Sequence, residues 1–354
     1  MMGDSYGGKR VLVTGGLGFI GSNVALALWR QGASVTVVDG MIPGCGANEH
    51  NLDPARGAIA VIRADVGDAE ALADVLPGQQ VIFNLAGEIS HPNSILFPER
   101  DLDLNARSQL RFLESCRRWA PSARVIYASS RQVYGTPEYL PVDERHPVNP
   151  SDFNGVHKLA AERYHRLFAV IHGLETVSLR LTNVYGPRQA LHLPWQGFIG
   201  TFVARALRGE PLTVFGDGSQ LRDMLYVDDA VEAFLAAGVA PLPDETHWIV
   251  CNLGGPRPLT LTEIARTIAG EQVTHIPFPE DRRKIDIGSY YADDRRFRAW
   301  TGWAPQVDFA EGIARTLAFY QEHAPIYLPA CADRADRPQA GSPPVPRAVA
   351  SQTG

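Results

Sequence analysis

The chain has 354 residues, 45% apolar and 20% charged, which is enough for one large α/β domain or two smaller ones sharing a core. Its formal net charge of −6 supplies no basic field for a phosphate backbone, so a nucleic-acid partner is excluded on electrostatic grounds. The cysteines Cys45, Cys116, Cys251 and Cys331 are widely spaced and form no C-x-x-C pair, which argues against a structural metal site or a disulfide framework.

The first sixteen residues hold no long apolar run, and no later stretch approaches a membrane span, so a cytoplasmic, membrane-free protein is expected. Short β-branched runs then alternate with helical stretches, the signature of a parallel sheet wound with crossover helices. The runs at 11–15, 34–39, 59–65, 81–87, 124–130 and 176–183 read as strands. Between them, 22–32, 68–78 and the long 101–121 repeat apolar residues at helical spacing and are punctuated by Gly or Pro. Beyond about residue 184 the pattern loosens into a helix at 197–210, a strand at 212–216, a helix from Val227, and two more at 261–271 and 310–323. The fold class expected is a Rossmann-type doubly wound α/β sheet (1–183) with a smaller, interleaved C-terminal substrate lobe (184–330). Residues 331–354, rich in Pro, Ala, Ser and Gly, are expected to be a disordered tail.

The first strand runs into TGGLGFIGS, which sets Gly15, Gly18 and Gly21 at G-x-x-G-x-x-G spacing between a strand and a helix. Such glycines let the backbone approach a pyrophosphate, whose charge then rests on helix N-terminal amides. Phe19 and Ile20 complete that turn. Asp39 ends the next strand, where a carboxylate accepts hydrogen bonds from an adenosine ribose and repels a 2′-phosphate. Gly40 and Met41 follow it without an arginine, which favours NAD over NADP. Asp65 and Val66 are placed to meet the adenine edge, with a helix N-cap as the other role open to Asp65. Leu85, Ala86 and Gly87 close the fourth strand with residues small enough to let backbone approach the cofactor, and Asn105 is placed beside it.

With these residues in place, the chain resembles the extended short-chain dehydrogenase/reductase family, the NAD-dependent epimerases and dehydratases of nucleotide sugars. The resemblance runs from about residue 9 to 325 through TGGLGFIG, YASSRQVYG, HKLAAERY, RLTNVYGPRQ, GDGSQLRDMLYVDDAVEAF and IDIGSYYAD, in that order. It implies a homodimer built on a four-helix bundle from helices near 101–119 and 154–171. It implies that Ser130 is the catalytic Ser/Thr and that Lys158 hydrogen-bonds the nicotinamide ribose. It further implies that Asn183, Arg222 and Arg283 bind a nucleotide diphosphate, a task suited to the bidentate arginine fork. Gln189, His192, Trp195 and Gln196 are expected around the nucleotide and sugar, with uridine or thymidine diphosphates expected by analogy.

The pattern breaks at one place. The family's base is a tyrosine four residues before the lysine, and that position is Asn154. A tyrosine, with an ordinary pKa of ~10, is made to work near neutrality by neighbouring cations, whereas asparagine only donates and accepts hydrogen bonds. No register shift restores it, because Phe153 lacks a hydroxyl and Tyr164 lies beyond the lysine. Arg131 and Gln132 occupy the positions where 4,6-dehydratases of the family carry an acidic pair, and Arg131 is expected among the substrate-binding residues. Glu88, His91 and Tyr134 are the replacement bases to consider, while His157 should point roughly 100° away from Lys158 on their helix. Three readings therefore stand: a nucleotide-sugar epimerase with a relocated base, a dehydratase or decarboxylase, and a binding protein without catalysis.

Overall fold

The computed structural model describes residues 5–193, 197–243, 246–278 and 287–328. Seven strands, β1 (Arg10–Thr14), β2 (Ser34–Asp39), β3 (Ala60–Arg63), β4 (Val81–Asn84), β5 (Arg124–Ser130), β6 (Thr176–Leu181) and β10 (Trp248–Leu253), form one sheet in the order β10-β6-β5-β4-β1-β2-β3. Every pairing in it is parallel. Side chains alternate between its two faces: Val11, Val13, Val37, Phe83, Ile126 and Val177 join one buried cluster, while Leu12, Val38, Ile82 and Val125 join another. Burial on both faces explains why these strands read as continuous apolar runs.

Helices α1 (Phe19–Arg30) and α8 (Val227–Val239) cover the first face. Helices α2 (Ala69–Ala73), α5 (Ser108–Trp119) and α6 (Phe153–His172) lie on the second. The chain winds outward from β1 to β2 and β3, then returns to the other side of β1 to lay down β4, β5 and β6. The carboxyl ends of β1 and β4 therefore border the switch-point crevice in which such sheets bind ligands.

Several expectations are corrected. The sheet has a seventh strand, β10, drawn from the second half of the chain and registered with Trp248 opposite Thr176. The run 176–183 splits at Thr182, after which β7 (Asn183–Tyr185) joins β9 (Leu221–Tyr226) and β11 (Pro258–Thr260) in a second, three-stranded sheet. The strand at 212–215 does form, as β8, and pairs with β12 (Val273–Ile276). The expected single helix at 101–121 is three pieces: α4 (Pro98–Leu102), a π-helical turn (Asp103–Arg107) and α5. The second helix is short, and its cap is Asp68, which accepts from the amides of Glu70 and Ala71. Asp65 therefore does not cap it and instead accepts from the Gly67 amide at 2.7 Å. A short helix, α3 (His91–Leu96), follows β4. The expected tail at 331–354 lies outside the described residues.

Candidate active site

The glycine-rich turn leads straight from β1 into α1. At Gly21 an added Cβ would lie 2.1 Å from the Gly15 carbonyl oxygen, so only glycine allows the turn to close. Asp39, at the end of β2, accepts the Leu17 amide at 3.0 Å on one oxygen and the Met41 amide at 2.8 Å on the other. Burial lifts the Asp39 carboxyl above its usual range, against the lowering effect of those two amides. The aspartate thus braces the glycine loop, and a carboxylate's remaining lone pairs are still available to ribose hydroxyls.

At the end of β4, Thr14 Oγ1 donates to Asn84 at 2.9 Å, Asn84 donates to Gln109 at 2.6 Å, and Gln109 donates to the Ala86 carbonyl at 3.1 Å. This buried network fixes Leu85–Gly87 against the glycine loop, and no local sequence pattern announces it. Gly87 has φ +157°, and a Cβ there would lie 2.6 Å from Lys158 Nζ and 2.7 Å from Asn105 Oδ1. Asn105, on the π-helical turn, accepts the Glu88 amide at 3.1 Å and leaves its own buried Nδ2 without a partner.

A cavity of about 420 Å³ opens over these strand ends, within the size range of small-molecule sites. Gly15, Gly18, Phe19, Ile20, Gly21, Asp39, Gly40, Asp65, Val66, Leu85, Ala86, Gly87 and Lys158 line one part of it. Ser130, Arg131, Gln132, His91, Asn154, Asn183 and Gln189 line the rest. The sequence-derived cofactor set is therefore brought together, except that Asn105 supports the wall from behind. Arg222 donates to the carbonyls of Leu221 at 3.0 Å and Gly288 at 2.5 Å. Arg283, Trp195 and Gln196 lie outside the described residues.

Asn154 lies in the first turn of α6, whose N-cap is Asp152. Its Nδ2 donates to the Glu88 carbonyl at 3.0 Å and to Asp101 at 2.9 Å, and Asp101 also holds His157 Nδ1 at 2.7 Å. Both amide hydrogens are thereby used, and Asn154 Oδ1 is left buried without a partner among the described residues. This atom is available to accept a hydrogen bond from a ligand. One helical turn on, Lys158 is buried, and desolvation depresses its pKa to about 8 against the raising influence of Asp101, Glu88 and Cys45.

The three replacement bases have different surroundings. Glu88 Oε1 accepts the amides of Ile89 and Ser90 at 3.2 and 3.1 Å, and its other oxygen accepts the Cys45 thiol at 3.3 Å; it does not line the cavity. Tyr134 is fully buried, donates to Asn252 at 2.6 Å and accepts from Arg180 at 2.7 Å. Burial pushes its phenol up to about 12, against the lowering effect of Arg180, and it too lies off the cavity. His91 lines the cavity, with Nδ1 hydrogen-bonded to Asp152 and Nε2 to the Gln132 side-chain amide. Burial acts to raise Asp152, but hydrogen bonds from His91 and the Gly155 amide and the charge of Arg131 leave its carboxyl below the usual range. Asp152 was not singled out from the sequence, although it carries the local signature of a helix cap.

The arrangement of a glycine turn, an aspartate at the end of β2 and a buried lysine at the switch point defines a dinucleotide-dependent enzyme of the Rossmann type. The model of the NAD dependent epimerase/dehydratase family matches residues 11–251. A UDP-glucose 4-epimerase of Mycolicibacterium smegmatis is 35% identical over 88% of this chain and 98% of its own. UDP-glucuronic acid decarboxylase 1 of Xenopus tropicalis is 30% identical over 89% of this chain and 72% of its own. The structure of a Thermus thermophilus UDP-glucose 4-epimerase complexed with NAD superposes with a TM-score of 0.76 at 29% identity, covering 88% of this chain and 99% of that one. The chain belongs to the NAD-dependent epimerase/dehydratase family, and its cofactor is NAD. No helix among the described residues is long and apolar enough to cross a membrane.

Proposed function

We propose that the protein is a nucleotide-sugar epimerase, acting at the 4-position of a UDP- or dTDP-hexose, in which His91 takes the place of the missing tyrosine. The observation that carries this reading is the placement of His91. It is the one replacement base of the three that lines the cavity, and it has a carboxylate behind it.

Gly15, Gly18, Gly21, Asp39, Asp65, Val66 and Lys158 would hold the cofactor; the closely approached glycines and the orphaned Asn105 amide fit such a group. When bound, NAD supplies a reversible hydride acceptor. The chain must then receive the proton of the sugar hydroxyl that is oxidised and give it back on the opposite ring face. Asp152 holds the Nδ1–H tautomer of His91, which leaves the Nε2 lone pair for that proton. Gln132 caps Nε2, so the sugar hydroxyl has to displace that amide. Ser130 Oγ and Asn154 Oδ1 orient the hydroxyl, and the Lys158 ammonium adds positive charge beside the reacting carbon. Asn183, Gln189, Arg222 and Arg283 are proposed for the nucleotide diphosphate.

Two further proposals concern organisation. Residues 1–183 form the cofactor unit and 184–330 the substrate lobe, with β10 returning from the second to the first. The chain dimerises through α5 and α6, because Leu110, Phe153, Val156, Leu167, Val170 and Ile171 leave an exposed apolar face there, and such faces mark association sites.

Proton NMR of the protein in heavy water with NAD and a panel of UDP- and dTDP-sugars, a uronic acid included, tests the reaction. A new anomeric signal at unchanged mass supports epimerisation. Loss of water or carbon dioxide replaces it with elimination or decarboxylation, and unchanged sugars that bind would leave a binding protein.

A further inference from the structure

Arg131 is the first residue of the 3-10 turn Arg131–Tyr134 that follows β5, directly after Ser130. It therefore stands at the reacting end of the cavity. Its guanidinium lies over the Tyr290 ring at 5.2 Å, which occupies one face of the plane and leaves the N–H edge for another partner.

Among the described residues the Arg131 side chain makes no hydrogen bond or ion pair through that edge. Two carboxylates act on it through space, Asp223 and Asp152, and both are otherwise engaged. Asp223 accepts the amides of Gly255 at 2.6 Å and Ala292 at 2.9 Å. Asp152 accepts the Gly155 amide at 2.7 Å and bonds His91. A partly buried guanidinium without a contacting counter-ion is costly to keep, and a planar anion presented to its edge would recover that cost through two parallel hydrogen bonds. Burial already lowers the Arg131 pKa, the direction expected of a cation short of partners.

We propose that Arg131 selects a sugar nucleotide whose hexose carries a carboxylate, binding that carboxylate bidentately beside the carbon that reacts. This rests on the nucleotide-sugar reading above and adds the substrate class. A neutral hexose would leave the guanidinium unpaired in the closed site, and a carboxylate on the carbon outside the ring is the simplest group that would pair it.

The test compares kcat/KM for UDP-glucuronate and UDP-glucose in wild type, Arg131→Met and Arg131→Lys, each with NAD. The expected result is a wild-type preference for the acid, an acid-to-neutral ratio that drops about 10-fold to 100-fold in Arg131→Met, and partial recovery in Arg131→Lys. Equal losses on both sugars would assign Arg131 to the diphosphate and overturn the proposal, as would no loss on either. If wild type converts neither sugar, the epimerase reading fails separately. Calorimetric binding of the two compounds to the NAD-loaded proteins then decides: a preference for the acid that disappears in Arg131→Met upholds the proposal, and its absence from wild type overturns it.

Discussion

On the proposed reading, Asn154 and His91 divide the work expected of one tyrosine. Asn154 has committed both amide hydrogens to Glu88 and Asp101, so it contributes an acceptor and no titratable proton. His91 is held by Asp152, which fixes the tautomer in the way a carboxylate orients a histidine base. Tyr134→Phe is expected to retain turnover and to lose about 1 kcal/mol of stability, because Arg180 and Asn252 each lose a buried partner; denaturant unfolding beside a kinetic assay checks it. Lys158 is expected to set the alkaline side of the pH profile. With its pKa depressed to about 8, the ammonium is present below that pH and lost above it. Activity and NAD affinity should therefore fall as pH rises through about 8, and Lys158→Arg, which stays charged, should lack that limb. Titration of kcat/KM and of NAD binding measures both. The identities of Lys158, Asp39 and the glycines were legible because each sits at a fixed offset from a strand or helix end. The choice among Glu88, His91 and Tyr134 was not, because it depends on Asp152 and Arg180, which are 61 and 46 residues away in sequence from His91 and Tyr134.

The strand ends and helices that carry these residues are tied from below. Under β5 and β6, Arg180 meets Glu162 of α6 at 2.9 and 2.5 Å, and Ser129 donates to the same carboxylate at 2.8 Å. Both charges are almost fully buried, so removing one strands the other. Glu162→Leu should cost about 3–5 kcal/mol, and the pair Glu162→Leu with Arg180→Met should cost less than the single change. Equal losses would show that the ion pair is not the source. Helix α6 was expected from the family resemblance, whereas the periodicity that identified α5 held because its apolar stripe faces one side of the sheet. It joined 101–121 into one helix because the π-helical turn keeps right-handed helical dihedrals, as at Leu102 and Ser108, and so leaves the apolar spacing nearly intact. β10 went unread because its run, WIVCNL, lies in the irregular half, and only its pairing with β6 makes it part of the sheet.

Taken together, the sheet order brings the glycine turn, Asp39 and Lys158 around one cavity with Ser130, Asn154 and His91, while α5 and α6 carry exposed apolar faces. If those faces associate, Leu167→Asp with Val170→Asp should halve the mass seen by sedimentation equilibrium and leave the fold intact by circular dichroism. A mass unchanged from wild type would remove the dimer proposal. The doubly wound class was legible because alternation of β-branched runs and helices has few other solutions; the paths of 184–328 were not, because short strands such as β7, β8 and β12 are defined by partners rather than by their own patterns. The central claim is that proton removal has moved from residue 154 to His91. It is tested most directly by mixing NAD-loaded wild type, His91→Gln and Glu88→Gln with the accepted sugar nucleotide and following the near-ultraviolet absorbance of reduced nicotinamide through one turnover. The account predicts that His91→Gln binds the sugar nucleotide but forms reduced cofactor about 10²-fold to 10⁴-fold more slowly, with a far smaller effect in Glu88→Gln. Oxidation by His91→Gln at the wild-type rate would contradict it.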